Sequence, residues 1–145
     1  MSDIPSILTA SERVFIVAPH PDDETLGCGG TLLKHRENGD DVSWLIVSKA
    51  HEPQWSADAI AKKAEEVEAV SRRLGVSAHR HLTFPAAALD TVPLADLIEE
   101  IRGFVHEVRP DIVYLVHRGA VHPDHRLVYE ATMSVIKPFH MKRLG

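Results

Sequence analysis

The sequence predicts an α/β fold in which helices cover both faces of a mostly parallel sheet. Three observations lead to this prediction: four short apolar runs typical of buried strands, helical patterns between them, and a further helix after the last run. Strands that alternate with helices favour a parallel sheet, because each helix returns the chain to the start of the next strand. We therefore expect a Rossmann-like three-layer sandwich with strand order 3-2-1-4.

The individual elements follow from apolar spacing and from the residues that interrupt it. The predicted strands cover residues 14–18, 42–48, 79–84 and 112–116. The predicted helices cover residues 25–38, 55–74, 94–108 and 124–136. Gly39 and Gly75 follow the first two helices, and Pro110 follows the third. Glycine and proline at these positions are typical helix stops.

Size and charge indicate one globular domain over residues 1–145, with 44% hydrophobic and 26% charged residues. The net charge of -5 gives no reason to expect nucleic acid as a partner. We expect no signal peptide, no membrane span and, with Cys28 as the single cysteine, a cytoplasmic protein. The apolar residues within 137–145 suggest further structure beyond them, so we expect the C-terminal part of the fold to be short or missing.

The first group of candidate site residues follows the first predicted strand. His20, Asp22, Asp23 and Glu24 lie within five consecutive positions. Carboxylates this close together repel one another, and a divalent cation relieves that repulsion. A polar turn that caps the next helix is the alternative for such an acidic cluster taken alone. The histidine, together with a second group further along the chain, favours a metal site.

The second group follows the fourth predicted strand. His122 and His125 flank Asp124 in the run His-Pro-Asp-His. The alternative is a helix N-cap at Asp124 with two surface histidines. In strand order 3-2-1-4 the first and fourth strands are neighbours, and ligands bind at the carboxyl ends of strands at such a switch point. The two groups are therefore expected to meet in one crevice.

The residue types of the combined groups suggest a catalytic metal centre. We assign His20, Asp23 and His125 as ligands, because three protein ligands with one open position are typical of catalytic zinc. Asp22 remains free to take a proton from water as a general base.

Four more residues have expected supporting roles. His122, in its cationic form, would stabilise an oxyanion or protonate a leaving amine, and Asp124 would orient a histidine. Arg118 and Glu24 are candidates for substrate contact or for support of the ligands, and for Arg118 simple neutralisation of the acids is an equal alternative. Trp55, in the loop after the second strand, is a candidate for stacking on a ring of the substrate, with ordinary packing as the alternative.

The two motifs together resemble those of the PIG-L/LmbE-like deacetylases, metal-dependent enzymes that deacetylate N-acetylglucosamine-type groups. The resemblance runs from residue 14 to near residue 138 and includes the segments Leu-Gly-Cys-Gly-Gly at 26–30 and Arg-Pro-Asp-Ile-Val at 109–113. It places the family's ligands on His20, Asp23 and His125, its base on Asp22 and its second histidine on His122.

The resemblance implies a zinc-dependent N-deacetylase whose partner is a small N-acyl amino sugar or glycoconjugate. Fe²⁺ or another divalent metal is the alternative cofactor, since His and carboxylate ligands suit both. An amidase of a thiol or lipid conjugate would use the same site. The sequence leaves open whether the protein is a homo-oligomer.

The sequence departs from the family pattern in three respects, and two of them, Ala120 and the short C-terminal part, favour an alternative of another class: a catalytically silent metal-binding module or a subunit completed by a partner. Ala120 stands where many relatives carry an acidic residue or tyrosine, and Lys63 precedes Glu66 where relatives carry arginine. Family members are also usually longer. Retention of Asp22 favours an enzyme, because metal binding alone does not require it.

Overall fold

The computed structural model describes residues 11–136 and 143–144, without the side chains of residues 24–26 and 143–144. Five strands form one sheet in the order β3-β2-β1-β4-β5, and every pair of neighbours is parallel. The strands are β1 Arg13–Ala18, β2 Asp41–Lys49, β3 Ala78–Pro85, β4 Ile112–Leu115 and β5 Arg143–Leu144. The helices are α1 Asp23–Glu37, α2 Ala57–Leu74, α3 Leu94–Val108 and α4 Pro123–Val135.

The predicted α/β class and the strand order 3-2-1-4 are confirmed, and the short β5 extends that order at the edge beside β4. The bounds of the predicted elements agree with the structure to within about two residues, which is the usual uncertainty of helix ends. Helix α2 begins two residues later than predicted, because the Ser56 hydroxyl accepts a hydrogen bond from the Ala59 amide at 3.2 Å and caps the helix there, so Trp55 lies in the preceding loop. Among the described residues, none of the helices could span a membrane.

Side chains of the central strands divide between two cores because successive residues of a strand point to opposite faces. Phe15 and Val17 pack under α3 and α4, and the Phe15 ring lies 5.3 Å from that of Phe104. Ile16 belongs to the other core, under α1 and α2, together with Trp44, which is fully buried.

The two predicted glycine stops are confirmed by their backbone conformation. Gly39 and Gly75 have φ values of 78° and 67°, in the region that favours glycine. A Cβ on Gly75 would lie 2.7 Å from Cδ of Arg36, whereas one on Gly39 would have nothing within 4 Å. Arg36 in turn donates a hydrogen bond to the Arg73 carbonyl at 2.6 Å. The last turn of α1 thus contacts the end of α2 and the turn that follows it.

A buried polar network ties the end of α1 to the sheet. Nδ1 of His35 lies 2.7 Å from Oδ2 of Asp40, and its Nε2 lies 2.9 Å from the Tyr114 hydroxyl. The Glu12 amide and the Asn38 side chain donate to Oδ1 of Asp40. Burial raises the pKa of Asp40, but these hydrogen bonds more than offset that effect and leave its pKa lowered.

Candidate active site

The carboxyl ends of β1 and β4 bring the two predicted groups together. Val17 pairs with Leu115 in the sheet, so the loop after β1 and the segment leading into α4 leave the same edge. The His20 ring lies 4.7 Å from that of His122 and 5.4 Å from that of His125, measured between ring centroids. The convergence expected at this switch point is therefore present in the structure.

His20, Asp23 and His125 form a group whose ligand atoms all lie within 4.8 Å of one another. Nδ1 of His20 lies 3.4 Å from Oδ2 of Asp23, and Nε2 of His125 lies 3.3 Å from Oδ1 of the same carboxylate. All three residues are half-buried. Two imidazoles and one carboxylate that converge in this way are a donor set that zinc or iron(II) accepts.

The second carboxylate, Asp124, fixes the orientation of His20. Oδ2 of Asp124 lies 2.9 Å from Nε2 of His20. A carboxylate only accepts hydrogen bonds, so this nitrogen must carry the proton. The other ring nitrogen, Nδ1, is the one that faces Asp23. A histidine held in this way presents a defined nitrogen to a metal.

Electrostatics of the ligand group follow from its burial and mutual contacts. Burial lowers the pKa of His20, but hydrogen bonds to Asp23 and Asp124 outweigh it, so the pKa is raised. Burial raises the pKa of Asp23, and hydrogen bonds from His20 reverse this, so the pKa is lowered. For His125 burial dominates and the pKa is lowered. Asp23 is therefore ready to act as an anionic ligand, and His125 as a neutral one.

Asp124 also connects the site to the turn after β3. Only 1% of the residue is exposed, and it accepts hydrogen bonds from the amides of Ala87 at 2.7 Å and Leu89 at 3.2 Å. Ala87 has a φ of 60°, a conformation that side-chain-bearing residues rarely adopt. A short 3-10 turn, Leu89–Thr91, follows directly. Neither this turn nor its link to Asp124 was predicted from the sequence.

His122, rather than Asp124, is the N-cap of α4, which corrects the alternative considered from the sequence. Nδ1 of His122 accepts a hydrogen bond from the Asp124 amide at 3.1 Å. A cationic imidazole has hydrogens on both nitrogens and accepts none, so the cationic form expected from the sequence would have to give up this hydrogen bond. The geometry fits a neutral ring that carries its proton on Nε2. His122 is exposed, so this donor faces the solvent side of the site.

A second group, formed by His20, His122 and Asp124, also has ligand atoms within 4.8 Å of one another. Most of its polar atoms are already engaged, since Asp124 binds His20 and two backbone amides, and Nδ1 of His122 caps α4. A metal there would have to displace these hydrogen bonds. The group with Asp23 and His125 is therefore the better metal site.

The remaining residues singled out from the sequence show fewer contacts, or have side chains outside the described residues. Asp22 is exposed at the start of α1, where its side chain makes no capping hydrogen bond. Arg118 is exposed in the loop after β4 and has no ion pair with any residue that the structure describes. The side chain of Glu24 lies outside the described residues. Lys63 forms an ion pair of 2.9 Å with Glu66 on the surface of α2.

A cavity of about 250 Å³ adjoins the centre on the side of β2 and α2. His20 and Asp22 line it at one end, and Trp55 lines it in the loop before α2. His81 of β3 is a lining residue that the sequence analysis did not single out. Its Nε2 donates to the Ser48 carbonyl at 2.8 Å, and burial lowers its pKa. The sequence signal that could have identified His81 was its position in the third predicted strand, which lies next to β2.

The structure is thus an α/β sheet with a His–Asp–His group at its switch point, the edge at which open α/β sheets commonly bind ligands. The family described as PIG-L, GlcNAc-PI de-N-acetylase, matches residues 15–136, and the chain belongs to this family.

Three similar proteins illustrate the relationship. A 1D-myo-inositol 2-acetamido-2-deoxy-alpha-D-glucopyranoside deacetylase of Kineococcus radiotolerans is 32% identical, over 89% of this chain and 46% of its own length. A diacetylchitobiose deacetylase of Thermococcus kodakarensis is 30% identical, over 79% of this chain and 45% of its own. The crystal structure of the conserved protein TT1542 from Thermus thermophilus superposes with a TM-score of 0.76 at 28% identity, covering 92% of this chain and 64% of that one. The chain thus spans about half the length of the curated relatives it matches.

Proposed function

We propose that the protein is a metal-dependent hydrolase that removes an N-acetyl or other N-acyl group from an amino sugar or glycoconjugate. The observation that carries the proposal is the convergence of His20, Asp23 and His125 beside Asp22, a carboxylate outside the ligand group. Family membership and two relatives named as deacetylases of N-acetylated sugars support the substrate class.

Zinc is the proposed metal, with iron(II) as the alternative for the same donors. When bound, the ion would lower the pKa of a coordinated water and polarise the substrate carbonyl. Nδ1 of His20, the Asp23 carboxylate and Nε2 of His125 are the proposed ligand atoms. Asp124 holds His20 with Nδ1 directed toward Asp23, as its 2.9 Å contact to Nε2 requires.

The proton transfers are assigned to two residues at the rim of the centre. Asp22 accepts a proton from the attacking water, because its carboxylate makes no capping hydrogen bond. His122 takes up a proton to become cationic and then donates its Nε2 proton to the departing amine, which returns the ring to its neutral form. In the neutral form its Nδ1 contact with the start of α4 holds the ring in place. Arg118, exposed in the loop after β4, is a candidate contact for the polar part of the substrate.

The direct test is hydrolysis of a panel of N-acetyl amino sugars by protein loaded with zinc or iron(II), with released acetate and free amine both measured. Asp22→Asn should retain the metal and lose activity by a factor of about 100 or more. Asp96→Asn, an exposed aspartate in the first turn of α3, is the matched control and should be unaffected.

Metal content provides an independent measurement. His125→Ala should lose bound metal, whereas Asp22→Asn should not, when both are dialysed against the same chelator. A protein that binds metal but hydrolyses no substrate would support the silent-module alternative. Full activity of Asp22→Asn would exclude Asp22 as the base, and unchanged metal affinity of His125→Ala would remove His125 from the ligand set.

A further inference from the structure

The two candidate ligands that are close in the chain, His20 and Asp23, form a local unit. The His20 amide donates a hydrogen bond to Oδ2 of Asp23 at 2.9 Å, and the Asp23 amide donates to the His20 carbonyl at 3.3 Å. These contacts fix the two residues relative to each other. They do not fix the distance from this unit to His125, which belongs to α4. That distance depends on the contacts that tie the loop after β1 to the rest of the fold.

Helix α1 is not a rigid support for this loop. Asp23 is the first residue of α1, but Cys28 has a φ of -147° and a ψ of 20°, outside the helical region. A kink therefore separates the first turn, which carries Asp23, from the longer part of the helix. On the side of α4, the contact between Asp124 and His20 holds the loop. The sheet supplies a second anchor on the opposite side.

This second anchor is Ser48, near the end of β2. Pro19 directly precedes His20, and because a proline has no N–H, its carbonyl is its only backbone hydrogen-bonding group. The Ser48 amide donates to this carbonyl at 3.1 Å, and the Ser48 hydroxyl donates to the same oxygen at 2.6 Å. Ser48 is 0% exposed, so water does not compete for either hydrogen bond. One buried residue thus holds the position next to the first ligand through two donors.

Ser48 is itself held by β3. The register between β2 and β3 shifts between Ile46 and Ser48, an irregularity of the kind that often occurs beside active sites. At this point Nε2 of His81 donates to the Ser48 carbonyl at 2.8 Å. A row of hydrogen bonds therefore runs from β3 through β2 to Pro19, the residue before the first ligand.

We propose that Ser48 is a positioning residue for the metal centre. Its hydrogen bonds to Pro19 set where the unit of His20 and Asp23 lies relative to the third ligand. The inference rests on the metal centre of the proposed function. When the Ser48 hydroxyl is removed, the Ser48 amide still holds the Pro19 carbonyl, so the loop stays near its place but is less narrowly confined. Metal affinity then falls, because the ligands are less well preorganised.

Ser48→Ala tests the proposal. Its dissociation constant for zinc, measured by competition with a chelator, should rise about tenfold, the lower end of the effect of removing a residue that orients a metal ligand. Ser48→Thr retains a hydroxyl and should restore most of the affinity. Ser43→Ala is the matched control, because Ser43 is also buried on β2 but pairs with Phe15, well before Pro19 in the chain. It should bind zinc as the wild type does.

Cobalt(II) in place of zinc provides a measurement that a loss of stability alone would not change. Its visible absorption depends on coordination geometry, and it accepts the same kinds of donors. At saturating cobalt and well below the unfolding temperature of each variant, Ser48→Ala should shift the absorption bands, and Ser43→Ala should not. If Ser48→Ala unfolds more easily than the wild type but keeps its cobalt spectrum and its zinc affinity, the role of Ser48 is purely structural and the proposal is overturned.

The outcomes also separate this inference from the proposed function. Weaker zinc binding by Ser48→Ala, together with no hydrolysis of any N-acyl amino sugar by the wild type, would overturn the proposed function and leave the positioning role standing. Hydrolysis by the wild type, together with equal zinc affinity in Ser48→Ala and Ser43→Ala, would overturn the positioning role alone. A wild-type protein that binds neither zinc nor cobalt(II) would overturn both.

Discussion

Oδ2 of Asp124 lies 2.9 Å from Nε2 of His20, although 104 positions separate the two residues in the chain. The same carboxylate accepts hydrogen bonds from the amides of Ala87 and Leu89. One buried side chain therefore joins the loop after β1, the turn after β3 and the start of α4. The candidate metal ligand and the wall of the adjoining crevice share a single anchor.

Replacing Asp124 should affect both stability and metal binding. Asp124→Ala leaves two backbone amides and the His20 ring without their acceptor, so the free energy of unfolding should fall by about 3 kcal/mol. Metal affinity should fall by a factor of about 10 to 100, because His20 loses its fixed orientation. Urea unfolding and competition with a chelator measure the two effects. Asp124→Asn retains one carbonyl acceptor and should lose less stability than Asp124→Ala. Equal stability of the wild type and both variants would show that the Asp124 carboxylate does not hold these segments together.

Asp40 should make stability depend on pH in the acid range. Its pKa in the folded protein is lowered, since hydrogen bonds from His35, the Glu12 amide and Asn38 outweigh burial. The unfolded chain therefore binds a proton at a higher pH than the native one. The stabilisation is present above the unfolded-state pKa of about 3.9 and is lost as pH falls through the folded-state pKa.

Asp40→Asn should accordingly reduce stability near neutral pH and flatten the decline toward acid, measured by urea unfolding across a pH series. The exposed Asp90, in the 3-10 turn, supplies the control. Asp90→Asn should leave the pH profile unchanged. A profile for Asp40→Asn that is parallel to that of the wild type would show that Asp40 does not produce this dependence.

The two left-handed glycines should differ in their tolerance of alanine. Gly39→Ala introduces backbone strain alone and should cost about 1 kcal/mol of unfolding free energy. Gly75→Ala adds a contact with Arg36, whose hydrogen bond to the Arg73 carbonyl must then be displaced, so its cost should be larger. In an Arg36→Ala background the two substitutions should cost about the same, and a persistent difference would contradict the steric explanation.

The strand order and the convergence at the switch point could be predicted because they depend on local patterns. Apolar runs and helical spacing identify elements, and the topology of parallel sheets then places the ends of β1 and β4 together. Asp22 and the three expected ligands could be proposed from the sequence for the same reason, because they directly follow these two strands.

Other features depend on contacts that no local pattern encodes. His122 caps α4 although capping residues are usually Ser, Thr, Asp or Asn, so the sequence favoured Asp124 instead. The turn Leu89–Thr91 has only three residues and is tied down by a carboxylate far along the chain. His35 is fixed by Asp40 and Tyr114, which come from other segments. β5 has only two residues and therefore no alternation to detect.

The place of β1 between β2 and β4 has a consequence for the newly made chain. Val14, Phe15 and Val17 are at most 1% exposed in the folded protein, and one edge of β1 is covered only by β4. While the ribosome is still adding α2, β3 and α3, that apolar edge has no neighbour. An uncovered edge of this kind readily pairs with other chains. Synthesis that stalls before residue 112 should therefore yield aggregating fragments, and the candidate site comes into being only with the strand that closes this edge.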